Sequence, residues 1–348
     1  MVRQRSAKPL FAGSSPAVAS NVRLPVPPHF SFAATVESHG WYLLAPNRWD
    51  RQAKILRRAE VVLSAEEREE SGRGFAHRRP DPSPSSRLRM TFDLEIAFRR
   101  NAIDVRGASR AEARGHTEAR NELRARLTRM FQLDIDTSDF IALAAVSENH
   151  RWVAEVDFGR LLCGSTLFED IVKIVATTNT TWAQTKRMVE LLVAKCGRRG
   201  PLGFAAFPSP EDIARFSAEE LQEDCRLGYR AKSIHTLATG IASGAIDLAA
   251  ISDPSQTTDG LFSSYRTLPG IGPYGAAHLL AMDGRHDFIA VDSEFRRFVR
   301  ETYHSGRRVA DKTMLRRYAK WGRWKYLAYW SELWNSVAGR LQPKDSAK

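Results

Sequence analysis

The chain reads as an α+β protein, an amino-terminal antiparallel β-sheet domain followed by an all-α bundle. Three observations predict this. Strand-like apolar runs between turn signals crowd residues 29–135, capped helical segments follow one another over residues 136–340, and a Gly-Ile-Gly-Pro turn opens an apolar helix at Pro273.

At 348 residues the chain is long enough for two or three domains with a sizeable core. Lys and Arg number 52 against 40 Asp and Glu, a formal charge of +12 and a sequence pI near 9.9. That balance favours a polyanion as partner. The excess is uneven, because residues 283–325 carry 12 Lys and Arg against 6 Asp and Glu, half of the net charge. The three cysteines, Cys163, Cys196 and Cys225, show no C-x-x-C spacing. This argues against a disulfide framework, a zinc site or an iron–sulfur cluster, and fits a reducing compartment. No apolar run approaches the roughly 18–20 residues of a membrane helix.

Residues 1–28 hold Arg3, Arg5, Lys8 and Arg23, no acidic residue, and many Ser, Ala and Pro. A disordered basic tail is the expectation, with a transit peptide or an over-extended start as alternatives. Over residues 29–135, FSFAATV, GWYLLAP, AEVVLS, LRMTFDLEIAF and NAIDVRG read as strands. A charged, Pro- and Ser-rich stretch near residues 64–87 reads as a mobile loop, and residues 110–130 as a polar helix. Beyond residue 135, Thr166-x-x-Glu169 is a capping box before LFEDIVKIVA. Trp182, Met188, Val189, Leu192 and Cys196 fall at helical spacing and stop at Gly197. Ser209-Pro210 and Ser217-x-x-Glu220 open two more helices, and residues 229–242 form another that ends near Gly244. The aromatic segment YAKWGRWKYLAYWSELW closes the bundle.

The stretch LPGIGPYGAAHLLAMDGRHDFIAVDSEFRR, residues 268–297, organises this bundle. Gly270 and Gly272 permit a tight hairpin, and Pro273 is pre-set for the first helical position. The hairpin thus ends in a helix start with free N–H groups, a natural seat for an anion such as a nucleic-acid phosphate. Asp292 stands 18 residues beyond Tyr274, just before the next helical segment.

The hairpin, that spacing and the VDSEFRRF context resemble the helix-hairpin-helix (HhH-GPD) DNA glycosylase superfamily. GRLLCGSTLFEDIVKIVATTNTTWAQTKRMVELL, FPSPEDIARFSAEELQ and LGYRAKSIHTLATGI look like successive helices of its 8-oxoguanine and 3-methyladenine (alkyladenine) branches, and the sheet domain looks like the one those branches carry in front. The resemblance implies a base-excision enzyme that flips a damaged base out of double-stranded DNA and cuts its N-glycosidic bond, with Asp292 as the catalytic carboxylate. Asp292 is also suited to cap the SEFRRF helix. Where lyase-competent members keep a lysine, this chain has Tyr274, which cannot form an imine. A monofunctional, water-using glycosylase follows, with Lys232 and Lys312 as alternative amines.

By the same resemblance Gly270, Ile271, Gly272, Tyr274 and Gly275 form the DNA-binding hairpin, while Asn179, Tyr229 and Arg230 enter the duplex beside the orphaned base. Gln184 replaces a second arginine that reads an orphaned cytosine, so a demand for cytosine opposite the lesion is not expected. Tyr274 and Trp182 are the candidate walls of the base pocket, with core packing as the alternative for each. The carboxy-terminal cluster Trp321, Trp324, Tyr326, Tyr329 and Trp330 reads as packing. No cysteine follows Cys225, so the four-cysteine cluster of endonuclease III and adenine glycosylases is missing, and Ile174 stands where the adenine enzyme keeps its acid. The implied cofactors are none beyond a structural monovalent cation at the hairpin. Alkylated purines are the expected substrate, held through cation–π contact, with oxidised purines next. A non-catalytic DNA-binding or lesion-sensing module is the reading of a different class. A cytoplasmic monomer, nucleoid-associated in a bacterium, is expected.

Overall fold

The computed structural model describes residues 18–64, 88–109 and 116–341. Its sheet comprises β1 (Val18–Pro25), β2 (Arg48–Asp50), β3 (Ile55–Ser64), β4 (Leu88–Arg99) and β5 (Ala102–Ser109), all antiparallel, in the order β1-β5-β4-β3-β2. Central β4 pairs with β3 from Ile55 opposite Ala97 to Ser64 opposite Leu88, and with β5 from Phe92 opposite Ser109 to Arg99 opposite Ala102. Side chains alternate across a strand, so Met90, Phe92, Leu94 and Ile96 share one face and are buried. Helices α1 (Phe32–Val36) and α2 (His116–Met130) belong to this half, and α2 lays Ala119, Leu123, Leu127 and Met130 into the same core.

Two of the expected strands are not strands. FSFAATV forms α1, where the Ser31 hydroxyl accepts from the Ala34 N–H at 3.4 Å, and GWYLLAP makes a single 3-10 turn over Gly40–Leu43. Both are short apolar runs, for which a local cap or one strong anchor overrides alternation. The anchor in the second is Trp41, whose indole N–H donates to Asp170 Oδ1 at 2.8 Å. The expected tail also shortens, since β1 begins at Val18 and pairs with β5 from Val18 opposite Ser109 to Pro25 opposite Ala102. The remainder of that segment, residues 1–17, and residues 65–87 of the expected loop lie outside the described residues.

The bundle runs through α3 (Ser138–Ala145), α4 (Arg151–Glu155), α5 (Leu167–Thr177), α6 (Trp182–Cys196), α7 (Pro210–Ile213), α8 (Ala218–Asp224), α9 (Arg230–Ala242), α10 (Leu248–Ile251), α11 (Thr258–Tyr265), α12 (Pro273–Met282), α13 (Ser293–Tyr303), α14 (Asp311–Arg316) and α15 (Lys325–Leu341). Capping boxes start α6, α7 and α8 at Thr181, Ser209 and Ser217. At α5 only half of the expected box exists, because Thr166 Oγ1 accepts from the Glu169 N–H while the Glu169 carboxylate turns elsewhere. No helix among the described residues is long and apolar enough to cross a membrane.

That carboxylate joins the two halves. Glu169 is fully buried and accepts from Arg58 of β3 at 2.8 Å and from Lys173 at 2.5 Å, while Arg58 also meets Glu60 at 2.5 Å. Burial alone would push the Glu169 carboxyl up, and the two cations hold it below the usual carboxylate range. One residue on, Asp170 accepts from Trp41, from the Gly164 N–H at 2.7 Å and from Arg129 of α2 at 2.7 Å. A continuous hydrophobic core then runs from the sheet through α5 and α6 to α9 and α12. Helix α5 is therefore fixed at its start by both halves.

Candidate functional site

The hairpin sits between α11 and α12. Its turn closes through Leu268 N–H to Tyr265 O and Ile271 N–H to Leu268 O, both at 3.1 Å. Gly270 has φ +82°, and a Cβ there would lie 2.9 Å from Ser233 Cβ and 3.1 Å from Val175 Cγ2, so the turn is seated on α9 and α5. Gly272 is different. It is the N-cap of α12, exposed, and a Cβ built on it meets nothing within 4 Å. Its carbonyl accepts the first helical bond, from Ala276 at 3.0 Å, so the N–H groups of Tyr274 and Gly275 remain among the free donors of the helix start.

Two hairpin residues offer only backbone to a phosphate. The Ile271 side chain is buried in the core, and Gly275 is packed where a Cβ would stand 3.1 Å from Ile174 Cγ2. Ile174 itself is buried, so no acid occupies that place.

Asp292 is the N-cap of α13, with Oδ1 accepting from the Phe295 N–H at 2.7 Å. The cap occupies one carboxylate oxygen, and the second has no hydrogen-bond partner among the described residues. The negative charge is felt by Tyr274, Tyr326 and Tyr329, each of whose hydroxyls is pushed up, first by burial and then with Asp292 contributing. For Tyr274 the result is about 12, so its hydroxyl stays protonated near neutrality; it also meets the Thr177 hydroxyl at the end of α5.

Sequence reasoning missed two histidines of this site. His278 lies one turn after Tyr274, the rings 4.1 Å apart, and its ring faces Tyr326 and Trp330 edge-on at 6.3 and 6.5 Å. The i, i+4 spacing from Tyr274 could have found it. His39 comes from the sheet half, its ring 6.4 Å from Trp330 and 4.9 Å from Trp41, and no local signal marks it. The carboxy-terminal aromatics divide accordingly. Trp321 and Trp324 pack against Phe140, as expected of core, whereas Tyr326 and Trp330 stack at 5.9 Å and border the histidines. Trp182, 37% exposed, lays its six-membered ring over Gly40, next to His39, so close that a Cβ on Gly40 would lie 2.5 Å from it. Among the described residues no ring contact joins it to Tyr274.

Beside the site, α5 ends in the loop Thr178–Asn179. Asn179 is exposed with φ +46°, and its side-chain N–H donates to the Tyr229 hydroxyl at 3.3 Å. Tyr229 is 62% exposed. Arg230 is held within the protein. Only 7% exposed, it donates to the Thr178 and Asn179 carbonyls and to Leu227 O, with its guanidinium 4.6 Å over the Tyr229 ring. Its charge is spent holding Asn179 and Tyr229 outward. Gln184 is likewise occupied, accepting from Thr181 N–H at 3.3 Å and the Thr180 hydroxyl at 2.8 Å.

Residues 172–323 match the family model described as HhH-GPD superfamily base excision DNA repair protein. No curated protein matches the sequence. Among solved structures, the 3-methyladenine DNA-glycosylase from Archaeoglobus fulgidus is similar over 92% of this chain and 99% of its own, with a TM-score of 0.66 and 18% identity. The 8-oxoguanine glycosylase/lyase of Clostridium acetobutylicum, in complex with double-stranded DNA containing cytosine opposite 8-oxoG, is similar over 90% of this chain and 93% of its own, with a TM-score of 0.62 and 14% identity. MBOgg1 in complex with a low affinity DNA ligand gives 94% and 98%, a TM-score of 0.63 and 16% identity. At these identities the likeness is one of fold, and it extends over the sheet half as well as the bundle.

Proposed function

We propose that this chain, whose residues 172–323 carry the HhH-GPD superfamily base excision DNA repair match, is a monofunctional DNA glycosylase that hydrolyses the N-glycosidic bond of an alkylated purine flipped out of duplex DNA. The observation that carries the reading is Asp292: a half-buried carboxylate with one oxygen held by its own helix and the other unpartnered, set among Tyr274, His278, Tyr326 and Tyr329. As the base departs, the sugar becomes oxocarbenium-like, and a carboxylate at ~4 Å in an effective dielectric of ~20 stabilises it by about 4 kcal/mol, roughly a thousandfold in rate. The unpartnered oxygen can also orient the attacking water.

Tyr274 supports hydrolysis without a lyase step. Its protonated phenol forms no imine, and the buried lysine of α5, Lys173, is held by Glu169 at 2.5 Å. The half-buried rings of Tyr274 and Trp330 are aromatic groups suited to a cationic alkylated base, which is already a good leaving group. The hairpin start at Gly272 offers phosphate-binding N–H groups with no side chain in the way. Incubation with duplexes that each carry one lesion, followed by hot alkali, tests the reading: alkali-dependent cleavage at an alkylated purine is expected. Tight binding without cleavage of any lesion would leave a DNA-binding module instead, and a borohydride-trapped protein–DNA adduct would overturn the monofunctional assignment.

A further inference from the structure

The two histidines that border the site have defined tautomers. His278 Nδ1 lies 3.0 Å from the Tyr274 carbonyl, and a carbonyl only accepts, so Nδ1 carries the hydrogen and Nε2 of the neutral ring keeps a lone pair. His39 is the mirror case. Its Nε2 donates to Leu162 O at 2.7 Å, which leaves the lone pair on Nδ1. Both rings stay neutral: burial holds His39 at about 3, with His278 and Lys173 nearby adding to the effect, and burial also lowers His278 against the opposing pull of the Tyr274 carbonyl and Asp292. Among the described residues no donor reaches either bare nitrogen. The rings lie 6.4 and 6.5 Å from Trp330, one brought by the sheet half and one by α12.

We infer that His39 and His278 form a two-acceptor wall of the base site that binds the exocyclic amine of the extruded base, favouring 6-amino over 6-oxo purines. The inference rests on the glycosylase reading above. An amine brings two hydrogens to two lone pairs, whereas a 6-oxo group brings its own lone pairs to the same place and leaves the histidines unpaired. A site built to pair with a donor rejects bases lacking it far more strongly than an apolar pocket rejects a change of size.

Duplex DNA treated with a methylating agent holds 3-methyladenine, with its 6-amine, and 7-methylguanine, with its 6-carbonyl. Chromatography of the released bases reads both in one reaction. The wild-type protein is expected to release 3-methyladenine faster, after subtraction of spontaneous loss. His278→Phe and His39→Phe, which keep a flat ring and lose the lone pair, should each lower 3-methyladenine release about tenfold relative to 7-methylguanine release, so the ratio falls. His278→Gln, with an amide oxygen as acceptor, should recover part of the ratio. Two rates that fall together, or a ratio that does not move in a variant with wild-type melting temperature, overturn the inference while leaving the glycosylase reading intact. Release of neither base by the wild-type protein overturns both. His278 is half-buried rather than sealed in the core, so the α12 variant decides the matter even where His39→Phe does not fold.

Discussion

Replacing Asp292 by Asn removes one negative charge while keeping a carbonyl oxygen for the Phe295 N–H, which Asp292 Oδ1 now accepts at 2.7 Å. The substitution therefore separates the two roles of this residue. As an N-cap, Asn equals Asp, so stability should change by less than about 0.5 kcal/mol. The electrostatic role is lost almost entirely. The half-buried setting among tyrosines whose hydroxyls respond to its charge justifies an effective dielectric of ~20, and at ~4 Å from the sugar the stabilisation is about 4 kcal/mol, so the single-turnover rate should fall by roughly a thousandfold. Asp292→Ala supplies the contrast, losing the rate and also about 1 kcal/mol of stability with the cap. The assay is alkali-dependent strand cleavage with protein in excess over a lesion duplex, beside duplex affinity and thermal melting of each variant. A rate loss in Asp292→Asn of less than tenfold, with fold and affinity intact, would refute the assignment of the chemistry to this carboxylate.

The two hairpin glycines should fail differently. Gly270→Val, forced into φ +82° and against Ser233 and Val175, is expected to cost about 1–3 kcal/mol in denaturant unfolding. Gly272→Asp meets open space and can cap α12, so melting should hold or rise, while affinity for damaged and undamaged duplexes falls alike by roughly tenfold. A preference for losing only the damaged duplex would contradict a phosphate contact. Glu169→Gln leaves Lys173 buried without its ion-pair partner and Arg58 with Glu60 alone, and should cost about 3–5 kcal/mol in chemical denaturation; a loss under 1 kcal/mol would show the network to be dispensable. Asp283 is raised to about 7, chiefly by burial against the opposing charge of Arg129. A raised folded-state value means that its contribution is complete below the unfolded value near 4 and is lost as pH rises through 7. Wild type minus Asp283→Asn stability should thus decline between pH 4 and 8, and a flat difference would show that Asp283 does not titrate in that window.

The parts legible in the sequence were those carried by local patterns. Alternation marked β4, Ser-x-x-Glu and Ser-Pro marked helix starts, and Gly-x-Gly-Pro marked the hairpin, because each is decided by residues within a few positions of one another. What stayed hidden depended on distant partners. GWYLLAP became a turn because Trp41 reaches Asp170, 129 positions away. Glu169 left its capping box for Arg58, 111 positions away. Arg230 looked like a surface cation available to DNA, and it is bound to the Thr178 and Asn179 carbonyls across some fifty positions. His39 had no signal at all, since it joins His278 only once the sheet half folds against the bundle. Asp292 was legible as the cap of α13 because it and the Phe295 N–H lie three positions apart.

The proposed function needs the hairpin, Tyr274 and the exposed loop to keep their relative positions, and α5 is the element that supports all three. Its first turn is locked into both halves by Glu169 and Asp170, so it cannot shift without breaking buried charge pairs. Val175 in its last turn supports the hairpin where Gly270 lacks a Cβ, Ile174 does the same for Gly275, and Thr177 meets the Tyr274 hydroxyl. The carbonyls that follow are those Arg230 grips to hold Asn179 and Tyr229 at the surface. One helix thus references the clamp, the tyrosine and the exposed loop to a common frame. A misplacement of about 1 Å at a reacting centre costs on the order of a hundredfold in rate. On the proposed function, a destabilised but folded Glu169→Gln protein should therefore lose excision rate beyond the effect on unfolding, while duplex affinity is retained.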